Sequence, residues 1–406
     1  MAMSDWTGQR WLCYNLDKEI SFLCRGSLAK NLYRDGFRTI GPLLIRLAKQ
    51  DQIRGAQLFI KNARWRLPQY TNLDGVRDQY KNNVHLDKNY PLGLLHQLPP
   101  EIITMILLAI ENVVALACIS LTNTALFLEG YPLLMDIAQE AYSWAGDRLI
   151  CVGSGCNIDD IPQGVFNATE IQQMTLKAPT TMQDDDTADD AAGDNKYSHL
   201  YEALEDTKAG IGPPDWISIL PSPFELPVES LQVVDPKVRS MLAGLPSSDR
   251  FLYGDLRDAM TYGNTGNARQ FLLANEERPW VLCNLTTGEY VRASAIANLL
   301  EPAVLQDDKQ RYRYIYGPNF AERLNVSMGA VARFCWSSDP SFSVAEAYKG
   351  DIHRGVWAGH RFEIISLDSI RPLGNGREWK DVSEEVAGEM KALWISEFGA
   401  EWRDNL

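Results

Sequence analysis

The densest group of side chains that could do chemistry lies between Cys335 and Glu363. This stretch, CWSSDPSFSVAEAYKGDIHRGVWAGHRFE, contains carboxylates, imidazoles and a thiol within a short length of chain. Such groups can act as a general acid and base or as a Cys–His nucleophilic pair. The candidate residues are Cys335, Asp339, Asp351, His353 and His360.

The spacing of these residues argues against a catalytic or metal site. His353 and His360 are not spaced as a metal-binding pair on a helix. A related phrase elsewhere in the chain has Asp147 where this stretch has His360, so the histidine is not a feature of the repeated pattern. We therefore predict that the chain is not an enzyme and holds no catalytic residue, metal or cofactor. An enzyme that uses the Asp351/His353 region is the weaker alternative.

Two phrases occur twice, in the same order. WLCYNLDKEISF starts at Trp11 and WVLCNLTTGEYV at Trp280, and each reads as β-favouring residues around a polar turn, which predicts a β-hairpin. SWAGDRLICVG and VWAGHRFEIIS then share Trp-Ala-Gly-x-Arg before an alternating apolar strand. We infer a duplicated α+β module. We expect its two shared arginines to stabilise the fold through a cation–π contact with tryptophan or through a contact with a carboxylate. The shared marker residues are Trp11, Asn15, Trp144, Arg148, Trp280, Asn284, Trp357 and Arg361.

The chain is predicted to contain two modules and a linker. The first module spans residues 1–175 and carries a helical insert at 91–137. Residues 176–236 form an acidic and proline-rich linker, which we expect to be partly disordered because its acidic part has few apolar residues to bury. The second module spans residues 237–406. It ends in an amphipathic helix whose predicted apolar face is Val382, Val386, Met390, Leu393 and Trp394.

Charge and composition narrow the class of protein. The formal net charge is −14, which argues against general nucleic-acid binding. No apolar run approaches the roughly 20 residues that span a bilayer, and the first residues do not resemble a signal peptide. The seven cysteines are an odd number without zinc-knuckle spacing, so we expect reduced thiols. These features favour the cytoplasm, the nucleus or both, with no membrane partner.

The predicted insert is unusually apolar. It reads PLGLLHQLPPEIITMILLAIENVVALACISLTNTALF, with prolines and Glu101 at a helix start and isoleucines and leucines at helical spacing. Glu111 and Asn112 interrupt this pattern before a second helix. So short a segment cannot hide that much apolar surface by itself, so it must pack against the rest of the chain or against a partner.

The insert resembles an F-box, a short three-helix motif. The resemblance implies docking onto a Skp-family adaptor of a cullin-based ubiquitin ligase, with an unknown protein target bound by the modules. The marker phrases also resemble those of uncharacterised fungal proteins, some of which contain F-boxes. The alternative is an interaction or scaffold protein whose insert is only core. The residues that the resemblance assigns to the adaptor are Leu98, Pro99, Pro100, Glu101, Ile102, Ile106, Leu107, Ile110, Leu116 and Leu121.

The insert differs from many F-boxes in two places. LTNT stands where many members of the family have a Val-Cys-basic-basic-Trp close, and ENVVAL lacks the usual Asp before its Leu. Both differences lie after the first predicted helix. They concern the third helix of the motif and the affinity for the adaptor.

Overall fold

The computed structural model describes residues 10–25, 28, 40–66, 95, 97–154, 156–176, 204, 253–254, 256, 279–299, 332–338 and 350–402. Helices and strands both occur among them, and the strands form two small sheets, so the predicted α+β class is confirmed. The chain divides into two compact units: Met1–Ile45 with Trp144–Pro213 and Glu277–Leu406, and Arg46–Ser143 with Pro214–Glu276. Apart from Leu176 and Leu204, the predicted linker lies outside the described residues.

The strands of the described residues all lie in the first unit, which we call the sheet unit. They are β1 (Arg10–Asn15), β2 (Ile20–Arg25), β3 (Leu149–Gly153), β4 (Trp280–Asn284), β5 (Glu289–Arg292), β6 (Cys335–Trp336), β7 (Phe362–Ser366) and β8 (Lys380–Asp381). The helices are α1 (Ile40–Leu44), α2 (Lys49–Arg66), α3 (Pro100–Leu108), α4 (Val113–Leu121), α5 (Thr124–Tyr142), α6 (Ala168–Leu176), α7 (Ala293–Ala297) and α8 (Ser383–Phe398). Short 3₁₀ turns occupy Ile158–Asp160, Leu367–Ser369 and Gly374–Gly376.

The two sheets repeat one arrangement. In the first, of order β2-β1-β3-β6, the central strand β1 forms an antiparallel hairpin with β2 and pairs antiparallel with β3. In the second, of order β7-β4-β5-β8, the central strand β4 forms the hairpin with β5 and pairs antiparallel with β7. Asn15 lies opposite Leu149, and Asn284 lies opposite Phe362. The predicted hairpins and the matching of the two repeated phrases therefore agree with the structure.

The two halves of the sheet unit exchange short segments. Strand β6, from the second half of the sequence, pairs in parallel with β3 through Cys151 and Cys335. At the equivalent place, Ile45 from the first half forms a parallel bridge to Ile364 of β7. Each sheet thus takes a parallel partner from the other half of the sequence, which ties the two copies together.

Matched hydrogen bonds join the two copies across an approximate two-fold relation. The Gly146 amide donates to the Phe362 carbonyl at 2.7 Å, and the equivalent Gly359 amide donates to the Leu149 carbonyl at 2.8 Å. Both glycines have positive φ angles, 89° and 77°, which residues with a Cβ atom rarely adopt. Between them, the equivalent residues Arg148 and Arg361 form an antiparallel bridge.

The helices α2 to α5 form the second unit, which we call the helical unit. Phe59 of α2 stacks on Phe127 of α5, with ring centroids 4.9 Å apart. Asn112 accepts hydrogen bonds from the amides of Val114 and Ala115 and caps α4, as the predicted break in the apolar pattern requires. At Gly130 a Cβ would overlap the Ser120 hydroxyl, so α4 and α5 approach closely because this residue is glycine.

The C-terminal helix α8 packs as predicted. All five residues of its predicted apolar face are buried. Its first amide, that of Ser383, donates to the Asp381 carboxylate at 2.9 Å. The residue at the N-cap position is Val382, so this contact is a bond from a carboxylate just before the helix, where negative charge is favourable.

Candidate functional site

One face of α3 is apolar and open to solvent. Ile102 and Ile106 are 39% and 43% exposed, and Met105 and Leu108 are 62% and 63% exposed. These four residues are the largest cluster of exposed apolar side chains on one element of the described chain. We call them the α3 surface. Ile102 and Ile106 were predicted from the sequence; Met105 and Leu108 were missed, because the F-box resemblance does not assign them a role.

Three residues predicted to contact an adaptor lie instead in the core of the helical unit. Leu107, Leu116 and Leu121 are buried, contrary to the expectation that they face a partner. Leu107 is on the face of α3 that packs against α5, close to Gly130. The sequence did not separate the two faces because apolar residues occur on both sides of α3.

The remaining predicted adaptor residues lie at the ends of α3. Pro99 and Pro100 are exposed, and the helix begins at Pro100, where the missing amide hydrogen costs nothing. Glu101 is exposed in the first turn, and Leu98 and Ile110 are partly buried. These five residues thus lie at the two ends of the helix that carries the α3 surface.

The charged residues that flank α3 in the sequence are all acidic. Residues 89–147 contain six Asp or Glu residues and no Lys or Arg. Glu101 and Glu111 are exposed at the two ends of α3. On the packed side, the Thr104 hydroxyl donates to Glu129 at 2.9 Å. An apolar face with acidic residues at its edge is complementary to a partner that has an apolar groove without acidic residues at its edge.

The marker asparagines organise the two hairpin turns. The side-chain oxygen of Asn15 accepts hydrogen bonds from the amides of Asp17 and Lys18, and its nitrogen donates to Asp147 at 2.8 Å. Asn284 repeats this pattern, with its nitrogen 3.0 Å from Nδ1 of His360. Both asparagines are fully buried. Their role in the described structure is to hold each turn against the Trp-Ala-Gly segment that follows later in the copy.

The marker tryptophans are core residues. Trp11 and Trp280 are buried at equivalent ends of β1 and β4, and Trp144 and Trp357 are buried before the equivalent glycines. The Trp357 indole donates to Glu289 at 2.9 Å. The guanidinium of Arg333 lies 4.8 Å above the Trp357 ring, so the cation–π contact comes from this arginine and not from the marker Arg361.

The marker arginines form the carboxylate contact that was predicted for them. Arg148 bonds Asp17 at 2.8 Å and Glu170 at 2.7 Å, and Arg361 bonds the other oxygen of Asp17 at 2.6 Å. Burial raises the pKa of Asp17, but its bonds to Arg148 and the charge of Arg361 hold this pKa below its usual value. Each charged group of this cluster pairs with a group of opposite charge. The cluster therefore stabilises the contact between the two copies.

The candidate catalytic residues do not share one environment. Cys335 is buried in β6, whereas Asp351 is exposed and His353 is partly buried. His360 is held by Asn284, and Asp339 lies outside the described residues. Within the described ranges, no three His, Cys, Asp or Glu side chains are arranged to hold a metal ion. The weaker enzyme alternative gains no site from this geometry.

Among the described helices, none combines the length and the apolar character that crossing a membrane needs. Comparison with protein-family models, curated proteins and solved structures finds no match to this chain.

Proposed function

We propose that this chain is a non-catalytic protein-recognition subunit that docks a Skp-family adaptor of a cullin-based ubiquitin ligase through the α3 surface. The sheet unit, with its duplicated modules, is the part that we propose binds an unknown protein target. The single observation that carries the proposal is the open apolar face of α3 on a helix whose opposite face is packed.

Three features support docking at this place. The α3 surface is contiguous, since Ile102, Met105 and Ile106 lie at helical spacing on one side. Three consecutive helices, α3 to α5, occupy the segment whose sequence resembles a three-helix F-box. The packing of α3 against α5 through Ile103 and Leu107 gives the open face a rigid support.

The energetics favour a partner for this face. Fully burying one large aliphatic side chain is worth about 1.5–3 kcal/mol, and each 1.4 kcal/mol is about tenfold in affinity. A carboxylate placed in such a contact loses its hydration without gaining a cation, so it costs more than the lost apolar contact. One substitution on the α3 surface should therefore be enough to test the proposal.

The test uses the full chain and a matched pair of variants. Ile106→Asp changes the α3 surface, and Ile171→Asp changes an isoleucine of α6 with nearly the same exposure, 41% against 43%. Binding of each purified variant to a Skp-family adaptor is measured by titration calorimetry. We expect Ile106→Asp to weaken binding by more than about tenfold and Ile171→Asp to leave it unchanged.

Two results would reject the proposal. If the unaltered chain does not bind the adaptor, the adaptor is not its partner. If Ile106→Asp is folded by circular dichroism and binds as tightly as the unaltered chain, the α3 surface is not the docking site. An equal loss in both variants would indicate contact through a different region.

A general interaction or scaffold protein is the second candidate function. The acidic border of the α3 surface favours it, because residues 89–147 lack the basic pair that closes many F-boxes. In that case the α3 surface binds another apolar partner whose border is basic. Binding that weakens strongly with added salt, to a partner other than the adaptor, would support this candidate.

A further inference from the structure

Three cysteines lie side by side across the first sheet. Cys13 of β1 is opposite Cys151 of β3, and Cys151 is opposite Cys335 of β6. Residues paired in register point to the same face of a sheet, so the three thiols share one face. All three are buried, and the thiols of Cys13 and Cys335 are hydrogen-bonded to that of Cys151.

The hydrogen-bond pattern distinguishes the two cysteine pairs. The Leu16 amide donates to the Arg148 carbonyl at 2.9 Å, and the Ser154 amide donates to the Arg10 carbonyl at 3.0 Å. Between β1 and β3, the hydrogen-bonded pairs are therefore those at the even-numbered residues of β1. Cys13 and Cys151 are therefore a non-hydrogen-bonded pair, whose Cα atoms lie about 4.5 Å apart in antiparallel strands. This separation is within the roughly 4.4–6.8 Å that a disulfide spans.

The second sheet shows that the fold does not require cysteine here. The positions equivalent to Cys13, Cys151 and Cys335 carry Leu282, Ile364 and Ile45. All three are buried, so the same positions can be filled by larger aliphatic side chains. The thiols of the first sheet are thus a property of that copy and not of the repeated module.

We propose that Cys13 and Cys151 are a redox-sensitive pair that forms a cross-strand disulfide when the protein meets a hydroperoxide. A thiolate attacks one oxygen of hydrogen peroxide, the O–O bond breaks, and a sulfenic acid forms with loss of hydroxide. The second thiol then attacks the sulfenic sulfur, an S–S bond forms, and the oxygen leaves as water. In total, two thiols are oxidised and one peroxide is reduced to two waters.

The contacts of Cys151 single it out as the thiol that reacts first. Burial by itself raises the pKa of the Cys151 thiol, but hydrogen bonds from the thiols of Cys13 and Cys335 lower this pKa below its ordinary value. Hydrogen bonds from neighbouring thiols stabilise a thiolate, the form that attacks peroxide. Elsewhere in the sheet unit, Cys283 has no such donor, and burial raises its pKa.

The disulfide would restrain a defined part of the chain. The closed loop between Cys13 and Cys151 includes all residues from Arg46 to Ser143, which supply helices α2 to α5. Oxidation would covalently join β1, which forms a hairpin with β2 before this segment, to β3, which follows it. Since a covalent link mainly reduces the freedom of the unfolded chain, the oxidised protein should melt at a higher temperature than the reduced protein.

The test maps disulfides in the full, folded chain. The reduced protein is treated with hydrogen peroxide, the remaining thiols are alkylated, and the digest is analysed by mass spectrometry. We expect one dominant linked pair of peptides, carrying Cys13 and Cys151 and lighter by two hydrogen atoms than the two reduced peptides. Dithiothreitol should reverse the link. The Cys335→Ser variant should retain the link, and Cys283 should stay reduced in both proteins.

Three results would overturn the proposal. One is a dominant Cys151–Cys335 or other pairing. Another is no link between Cys13 and Cys151 at peroxide doses that already oxidise the partly buried Cys118. The third is a link that appears only after the chain is unfolded in urea. Because the unaltered protein supplies the main measurement, failure of a variant to fold does not prevent a decision.

Discussion

At the scale of single residues, the repeated phrases encode turn geometry. Asn15 and Asn284 each hold the turn of their hairpin with the same three hydrogen bonds. The last turn residue is left-handed in both copies, Glu19 with φ of 54° and Gly288 with φ of 76°. Glu19 is therefore equivalent to Gly288 and not to Glu289, although both phrases contain a glutamate. Backbone conformation, rather than side-chain type, sets the equivalence.

Removing either asparagine should destabilise the sheet unit. In Asn15→Ala the amides of Asp17 and Lys18 lose their acceptor and Asp147 loses its donor. Since a net hydrogen bond contributes about 1 kcal/mol, we expect a loss of about 2 kcal/mol or more in the free energy of unfolding. Urea denaturation measures it.

The second copy and an exposed asparagine complete this test. Asn284→Ala should cost about as much as Asn15→Ala, because the bonds are equivalent. Asn298→Ala, at an exposed position after α7, should change stability by less than about 0.5 kcal/mol. Equal effects at all three positions would contradict the role of the marker asparagines.

His360 should make stability depend on pH. Burial lowers the pKa of His360, and the charge of Glu289 opposes this only in part. Below about pH 6.5, His360 therefore binds a proton more readily in the unfolded chain than in the folded chain. The folded state keeps its full stability above that pH and loses stability as the pH falls through it. Urea midpoints compared at about pH 7.5 and about pH 5.5 measure this loss.

The matched variant for this prediction is His360→Gln. Its amide oxygen can still accept from Asn284, but it does not titrate. We expect the variant to lose less stability than the unaltered chain over the same pH interval. An identical loss in both proteins would show that other groups cause the dependence.

At the scale of elements, α3 presents two apolar faces with different roles. The face with Leu107 is core, and the face with Ile106 is open. The position of α3, its start at the prolines and the break before α4 could be predicted, because helix signals are local. The division between buried and open faces could not, because it depends on how α5 packs against α3, and apolar periodicity is weak when both faces are apolar.

The two faces should respond differently to truncation. Leu107→Ala should lower the free energy of unfolding of the helical unit by about 2–5 kcal/mol, because it leaves a cavity beside α5. Ile106→Ala should lower it by no more than about 1 kcal/mol, because that side chain is largely exposed. Thermal denaturation compares the two. Similar losses would mean that the open face is covered in solution and would count against the α3 surface.

At the scale of the whole molecule, the duplicated copies interlock. Ile45 joins the sheet of the second copy and Cys335 joins the sheet of the first. The sequence predicts the duplication, since its phrases are long and specific. It does not predict the exchange, because one or two apolar residues carry no signal for the sheet that they join. The helical segment that carries the α3 surface lies between β2 and β3 in the sequence.

Hydrogen–deuterium exchange with and without a Skp-family adaptor would show directly whether the adaptor docks on the α3 surface. We expect the adaptor to slow exchange of the α3 amides from Ile102 to Ala109, whereas the amides of β1 and β4 should exchange as before. The Ile106→Asp variant should show no such protection. Protection that falls on the sheet unit alone, or no protection anywhere at saturating adaptor, would contradict docking through the α3 surface.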